Sequence, residues 1–437
     1  MTSPRQFLES LFGVAVASAH PAGCLIPHLP APPRSGRLLL LAAGKAAGSM
    51  TEIAERYYLD DCGLAPDRIA GLAVTRRGYA RPTRMIRMIE AGHPIPDQAG
   101  AMAAAETLGL ADSAGPDDLV LVLLSGGASA NWIAPAGITL AEKQAVTRAL
   151  ISSGASIGEI NAVRKHLSGI KGGRLARRAH RARLVTLAIS DVPGDDPAVI
   201  GSGPSVADPS TLADARAVVE RHRLNVPDAV MRALNDPANE TPKPDDPVFA
   251  STSFVLASRP ADVFLRVEAE VRAAGYECIL VGTNLEGEAR DVAARHAEFA
   301  RDLQRQGRRA VILSGGELTV TVRGKGRGGP NQEYVLALIG ALDAAGQGNP
   351  RQIAALAADT DGTDGGVGEP DDPAGAFMDQ TSAARARTLG LDWPAFLKDN
   401  NSTEFFRRLG DLVAPGPTHT NVNDFRAILV DCASASA

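Results

Sequence analysis

Several short stretches of this chain place cations, carboxylates and glycines where they could handle an anionic substrate. The loop Ala43-Gly44-Lys45-Ala46-Ala47-Gly48-Ser49 follows an apolar run and precedes a helical pattern. A lysine in that position can serve as a point charge for phosphate at a helix N-terminus. The spacing departs from a Walker A loop, because Leu39 and Ala46 stand where Gly and Ser or Thr belong; a solvated lysine in a turn is the bland alternative. Ser125-Gly126-Gly127-Ala128 and Ser314-Gly315-Gly316-Glu317 each close an apolar run. Such turns can aim backbone N–H groups at a carboxylate or phosphate, although ordinary strand-to-helix turns look the same. Arg164, Lys165, His166 and Lys171 crowd a stretch with helical spacing, in which positions 164, 168 and 171 fall on one face. That face reads either as solvated surface or as an anion site.

The acids are equally placed. Asp191 follows directly on an apolar run, and Asp195 and Asp196 lie in the Pro/Gly loop after it. One or two carboxylates together with substrate phosphates are the usual holders of Mg²⁺, while turns attract Asp for conformational reasons alone. Asp359, Asp361 and Asp364 form a second acidic loop that lacks EF-hand spacing. Thr418, His419, Thr420, Asn421, Asn423 and Asp424 precede a final apolar run and could hydrogen-bond hydroxyl groups. The stretch Leu313–Leu338 contains Gly324, Gly326 and Gly329 in G-x-G-x-x-G spacing, with Arg323, Lys325 and Arg327. A dinucleotide fold needs a buried strand before those glycines and an acid ending a strand about 20 residues later. Here the preceding ELTVTVR alternates, which reads as a half-exposed strand, and the acid is missing. What survives is a cationic loop before a helix, with Arg327 able to offset charge on a phosphoryl group in transfer.

These loops need strands to present them. Apolar runs at 37–42, 119–124, 183–190, 253–258, 277–282, 309–323, 353–358 and 426–430 alternate with helical patterns at 97–109, 139–152, 261–274, 287–306 and from about 331 to 345. Continuous apolar strands between helices indicate an α/β fold with a parallel sheet covered on both faces. The length, 437 residues, suits two or three domains, with the Pro/Asp-rich stretch 235–249 as a linker. A net charge of -5 argues against a broad nucleic-acid surface. Cys24, Cys62, Cys278 and Cys432 are too scattered for a zinc site or a disulfide framework, which points to the cytoplasm. No apolar run is long enough to span a membrane. The N-terminal stretch has faint signal-peptide character, but Glu9 interrupts it and an amphipathic first helix is expected.

In chain order, AAGKAAGSM, LLSGGASA, NAVRKHLSGIKGGRLA, SDVPGDDPAVIGSGP, LSGGELTVTVRGKGRGGPNQEYVLAL, AADTDGTDGG and GPTHTNVND resemble the type II glycerate kinases of the MOFRL family. The resemblance implies a Rossmann-like N-terminal domain over 1–240, alternatively extending into part of 241–305, a connecting α/β segment over 241–305 and a smaller MOFRL domain over 306–437, with the active site in the cleft between domains. It implies ATP- and Mg²⁺-dependent phosphorylation of D-glycerate to 2-phosphoglycerate. Lys45 and Arg327 are then the leading phosphoryl-transfer cations, and Asp191 is either the base for the 2-hydroxyl or a metal ligand. Ser125, Gly126, Gly127 and Ala128, with Arg164 and Lys171, would hold the substrate carboxylate. Gly44, Ser314, Gly315, Gly316 and Glu317 would contact nucleotide, as would Asn331, Asp361, Thr420 and Asn421. Asp191, Asp195 and Asp364 would hold the metal. Members of this family often carry the name hydroxypyruvate reductase, so a NAD(P)H-dependent reductase, or a kinase for a related hydroxy acid, is the alternative. No nucleic-acid or membrane partner is expected, and a homodimer is left open.

Overall fold

The computed structural model describes residues 3–343, 353–365, 369 and 371–431. Cys432 and the expected helical residues 344 and 345 lie outside them. Chain contacts separate two compact units, one made of 21–258 and the other of 1–20 with 259–437.

The first unit is built on six parallel strands: β1 Leu38–Ala43, β2 Ile69–Arg76, β3 Arg87–Ala91, β4 Leu119–Leu124, β5 Arg183–Ile189 and β6 Thr252–Ser258, in the order β3-β2-β1-β4-β5-β6. Every residue of β1 and β4 is buried, as expected of strands covered on both faces. The order reverses between β1 and β4, and ligands of such sheets bind where the loops at those carboxyl ends part. Both loops carry expected site residues, Lys45 after β1 and Ser125–Ala128 after β4. The helices Gln98–Asp112 and Leu140–Ser152 start where the chain supplies caps: Asp97 accepts from the Gly100 amide, and Thr139 with Glu142 forms a capping box.

Among the described residues the second unit has six strands, β7 Glu277–Gly282, β8 Ala310–Ser314, β9 Ile353–Asp359, β10 Gly375–Met378, β11 Leu412–Val413 and β12 Asp424–Val430, in the order β11-β10-β9-β12-β8-β7. Only β7 and β8 pair in parallel; the other pairs are antiparallel. The segment 241–305 is shared out, since β6 joins the first sheet and β7 the second. The N-terminal helix, Pro4–Ala19, is capped by Ser3 and Gln6 and buries Leu8, Leu11, Phe12 and Ala15 in the second unit. Aromatic residues are scarce in this chain but gather here, with Phe12 and Phe264 at 5.9 and 6.0 Å from the Phe425 ring centroid.

The alternating ELTVTVR run is not a strand. After β8 it makes only an isolated bridge, Thr319 to Glu288. The Thr321 amide and hydroxyl bond the Glu288 carboxylate, and the Arg323 and Gly324 amides donate to Asn400 Oδ1. Side chains take the hydrogen bonds that a neighbouring strand would have made.

Candidate active site

In the first unit the loops after β1 and β4 interlock. The Lys45 amide donates to Gly126 O at 2.8 Å and the Ala46 amide to Ser125 Oγ at 2.9 Å. Gly44 has φ of 121°, and a Cβ there would lie 2.3 Å from Ser125 Oγ, so only glycine fits. Ser125 is fully buried and its Oγ accepts the bond from the Ala46 amide. Gly127 sits at φ 84° and opens the short helix Ala128–Asn131, with the Lys45 side chain beside it. The Ser125 amide goes to Ala43 O and the Ala128 amide to Ser125 O. The amides of Gly126 and Gly127 have no partner among the described residues, so these two carry the turn's capacity for an anion.

The cationic stretch departs from the expected single helix. The helix Ile157–His166 ends there, and Gly172 and Gly173 at φ 58° and 79° turn the chain. Arg164 and Lys171 therefore do not share a helix face. They still belong to one buried cluster. Lys171 is 1% exposed and its Nζ donates to Ser129 O at 2.8 Å. Arg164 is half-buried and its guanidinium has no hydrogen bond or ion pair among the described residues. Lys143, which the sequence did not single out, is 1% exposed and donates to the carbonyls of Arg164 at 3.1 Å and Leu167 at 2.6 Å. It thereby caps the helix that carries Arg164. Burial holds Lys143 and Lys171 well below the usual lysine range, and Arg164 pushes both further down. Lys165 differs, being paired with buried Asp208 at 3.2 Å. Three cations with no acid against them form a natural receptor for an anion.

The same loops meet the acidic segment. The Ser129 and Ser202 hydroxyls are 2.8 Å apart, and the Gly172 and Gly173 amides donate to Ser202 O and Gly203 O. Asp191 follows β5 at a half-buried position. Asp195 is held at φ 55°, and its Oδ1 is buried without a hydrogen-bond partner. An orphaned carboxylate oxygen suits a hard cation. Among the described residues no group of three or more His, Cys, Asp or Glu could hold a metal by itself. The residues thus fit Mg²⁺ only in the manner in which substrate phosphates supply much of the coordination.

In the second unit the glycine-rich loop is explained by close backbone approach. A Cβ on Gly324 would lie 2.2 Å from the Asp399 backbone, and one on Gly329 2.2 Å from Asp364 O. The amides of Lys325, Gly326 and Arg327 are all consumed by residues 399 and 401. An amide nest for phosphate is therefore absent along 323–327, and any anion must meet side chains. Arg327 is 59% exposed and pairs with buried Asp372 at 2.9 Å.

Asp364, expected as a metal ligand, caps the helix Pro330–Asp343. Its Oδ1 accepts from the Asn331 amide at 3.0 Å and its Oδ2 from the Gln332 amide at 2.8 Å. Burial, with Asp424 nearby, pushes its carboxyl up to about 7 against the pull of those amides. Both carboxylate oxygens of Asp364 accept amide hydrogen bonds, whereas Asp195 keeps a buried oxygen without one. Asn331 donates to Asp364 and Asp424 while its own Oδ1 is buried without a partner. Asp361 accepts from the Thr363 amide and hydroxyl. The Thr420 hydroxyl donates to Ala19 O at 2.7 Å, and Asn421 Oδ1 accepts from the Asn423 amide.

The second Ser-Gly-Gly turn is clamped by a residue the sequence reading missed. Arg426 is 1% exposed, pairs with Asp424 at 2.7 Å and reaches Ser314 Oγ, Gly315 O and Gly316 O. A Cβ on Gly316 would lie 2.1 Å from the Leu285 amide. Glu317 alone of that turn is exposed. An apolar cavity of about 730 Å³ also lies in this unit, between the N-terminal helix and residues 412–418, and Thr418 of the candidate loop lines it.

Known proteins share this organisation. Residues 7–235 match the family described as Domain of unknown function (DUF4147), and residues 310–424 match the MOFRL family. A putative hydroxypyruvate reductase of Agrobacterium vitis is 44% identical, covering 98% of this chain and 95% of its own. A glycerate 2-kinase of Pyrococcus horikoshii is 38% identical over 90% of this chain and 88% of its own. The crystal structure of a glycerate kinase from Thermotoga maritima superposes with a TM-score of 0.84 at 34% identity, covering 98% of this chain and 99% of that one.

Proposed function

Because this chain belongs to the family that joins a DUF4147 domain to a MOFRL domain, the family of those glycerate kinases, we propose that it transfers the terminal phosphoryl group of ATP to the 2-hydroxyl of D-glycerate, giving 2-phosphoglycerate and ADP. The observation that carries this reading is the cation cluster of the first unit, where Arg164 and Lys171 face no acid and await a carboxylate.

The roles follow from the local geometry. The Gly126 and Gly127 amides and the Arg164–Lys171 cluster hold the glycerate carboxylate and orient its 2-hydroxyl. Asp191 either accepts the hydroxyl proton or joins Asp195 on Mg²⁺, whose contribution when bound is to neutralise phosphate charge. Lys45 and Arg327 offset charge on the phosphoryl group in transfer. For Arg327 this means exchanging Asp372 for phosphate oxygen, which its exposure permits. Phosphoryl transfer asks the protein for positioning and charge more than for covalent chemistry. In the nucleotide role, Asn331 offers its unpartnered Oδ1 and Glu317 its exposed side chain.

Phosphorus NMR of the protein with ATP, Mg²⁺ and D-glycerate tests this directly. A resonance of 2-phosphoglycerate, with ADP formed only when glycerate is present, is the expected result. No glycerate-dependent ADP would overturn it. The reductase named for the Agrobacterium relative is then examined by following NADH or NADPH absorbance with hydroxypyruvate.

A further inference from the structure

We infer that D-glycerate enters the first unit together with a proton, which the cluster of Lys143, Arg164 and Lys171 takes up as the carboxylate arrives. The inference rests on the glycerate reading above and adds Lys143 to the groups that determine how substrate binds.

The argument is one of charge count in a dry place. Lys143 and Lys171 are each 1% exposed. Neither makes an ion pair, and their Nζ atoms reach only carbonyl oxygens, those of Arg164 and Leu167 for Lys143 and that of Ser129 for Lys171. Arg164 has no partner of its own among the described residues. The other charged groups around them are already matched or are cations themselves. From the helix Ile157–His166, Lys165 is paired with Asp208, and His166 faces Glu240 at 3.0 Å. Glu240 in turn holds Lys243 at 2.6 Å. Arg174 donates to Asn239 O and adds repulsion to Lys143. Asp208 lies beside Gly172 but is held by Lys165; among the described residues no acid pairs with Lys171, and the cations Arg164, Lys143 and Lys165 all oppose its charge.

Burying a charge without a counter-ion is costly, and an amine escapes that cost by giving up its proton, whereas a guanidinium does not. In the empty site Arg164 keeps its charge and the two lysines carry fewer charges than their number. A carboxylate changes the balance, because one negative charge beside the cluster favours the protonated amine again. Binding then draws a proton from solvent. By linkage, glycerate affinity is flat at low pH and falls by about tenfold per pH unit between the amine's value in the empty site and its higher value in the complex.

The test is calorimetric titration of the full-length protein with D-glycerate, with a non-hydrolysable ATP analogue and Mg²⁺ held constant. It is run in pairs of buffers that differ in ionisation heat, across a pH series. The expected result is a buffer-dependent heat corresponding to net proton uptake, together with the stated fall in affinity. Glycerate binding with no proton exchange at any pH would overturn the inference and leave the kinase reading intact. No glycerate binding at all would remove both. Two variants locate the proton. Lys171→Met removes the uptake and weakens binding. Lys143→Met keeps the buried stem and leaves burial and Arg164 still acting on Lys171, so uptake persists in it. Uptake unchanged in both variants would place the proton elsewhere and overturn the assignment.

Discussion

The two Ser-Gly-Gly turns end apolar strands in both units, yet their backbone groups are used differently. Ser125-Gly126-Gly127 leaves the amides of Gly126 and Gly127 without partners and sits beside Lys45, with Lys171 reaching Ser129 in the helix that follows. Ser314-Gly315-Gly316 has its carbonyls clamped by buried Arg426 and its glycines pressed against residues 283–285. The contrast extends to the charges around them. In the first unit three cations lack acids. In the second, Arg327 has Asp372, Arg426 has Asp424, and Asp364 has a helix N-terminus. An unmatched charge is a standing cost, so it marks the place where a ligand repays it. A matched one has that cost offset by its partner within the protein.

The sharpest way to break this contrast is to remove a cation assigned to chemistry from each unit. Lys45→Ala and Arg327→Ala should each lower kcat by about 10³-fold, the scale of losing a charge that stabilises phosphoryl transfer. Thermal unfolding should move little, since the exposed Arg327–Asp372 pair is worth about 1 kcal/mol or less. Turnover that survives in Arg327→Ala would place its loop wholly among the structural features of the second unit. Arg426→Met asks the converse question. It strands Asp424 and frees the carbonyls of the second turn, so it should cost about 3 kcal/mol or more of stability, read by denaturant unfolding. If the variant is as stable as the parent, the clamp is not what holds that turn.

Arg164→Ala refines the first-unit side. The loss of one charge-assisted contact to substrate, about 1.5–3 kcal/mol, should raise the KM for D-glycerate by about 10- to 100-fold while the KM for ATP is kept. Because Arg164 has no partner to abandon, folding stability should hold or rise. A loss of stability would show that Arg164 is matched after all.

Strands were more legible than side-chain roles. β4 coincides with its apolar run, and β1 and β5 fall within a residue of theirs, because strands buried on both faces write themselves as unbroken Leu, Val and Ala. β2 was missed with Gly71 inside it, and four-residue β10 is too short to show a pattern. The glycines at 324–329 were visible, but composition does not say whether a glycine makes room for a ligand or for the protein's own backbone, here residues 399–401 and 364. Asp424 and Arg426 did leave a signal, two opposite charges at i and i+2 on one strand face of an otherwise apolar run. Lys143 left none, since it looks like any lysine on an amphipathic helix until the neighbouring helix end is folded against it.

Thr420 gives the finest distinction between a ligand contact and a fold contact. Its residue type and its place in a Thr/His/Asn loop suggest a nucleotide hydroxyl contact. Its Oγ1 is instead buried and donates to Ala19 O, the last carbonyl of the N-terminal helix. Thr420→Val preserves shape and removes that donor from Ala19 O. The expected cost is about 1 kcal/mol of stability, with the KM for ATP unchanged. If instead the KM rises and the unfolding midpoint stays put, the hydroxyl turns toward nucleotide in the working enzyme. The loop would then join the first Ser-Gly-Gly turn among the parts kept for ligand rather than for the fold.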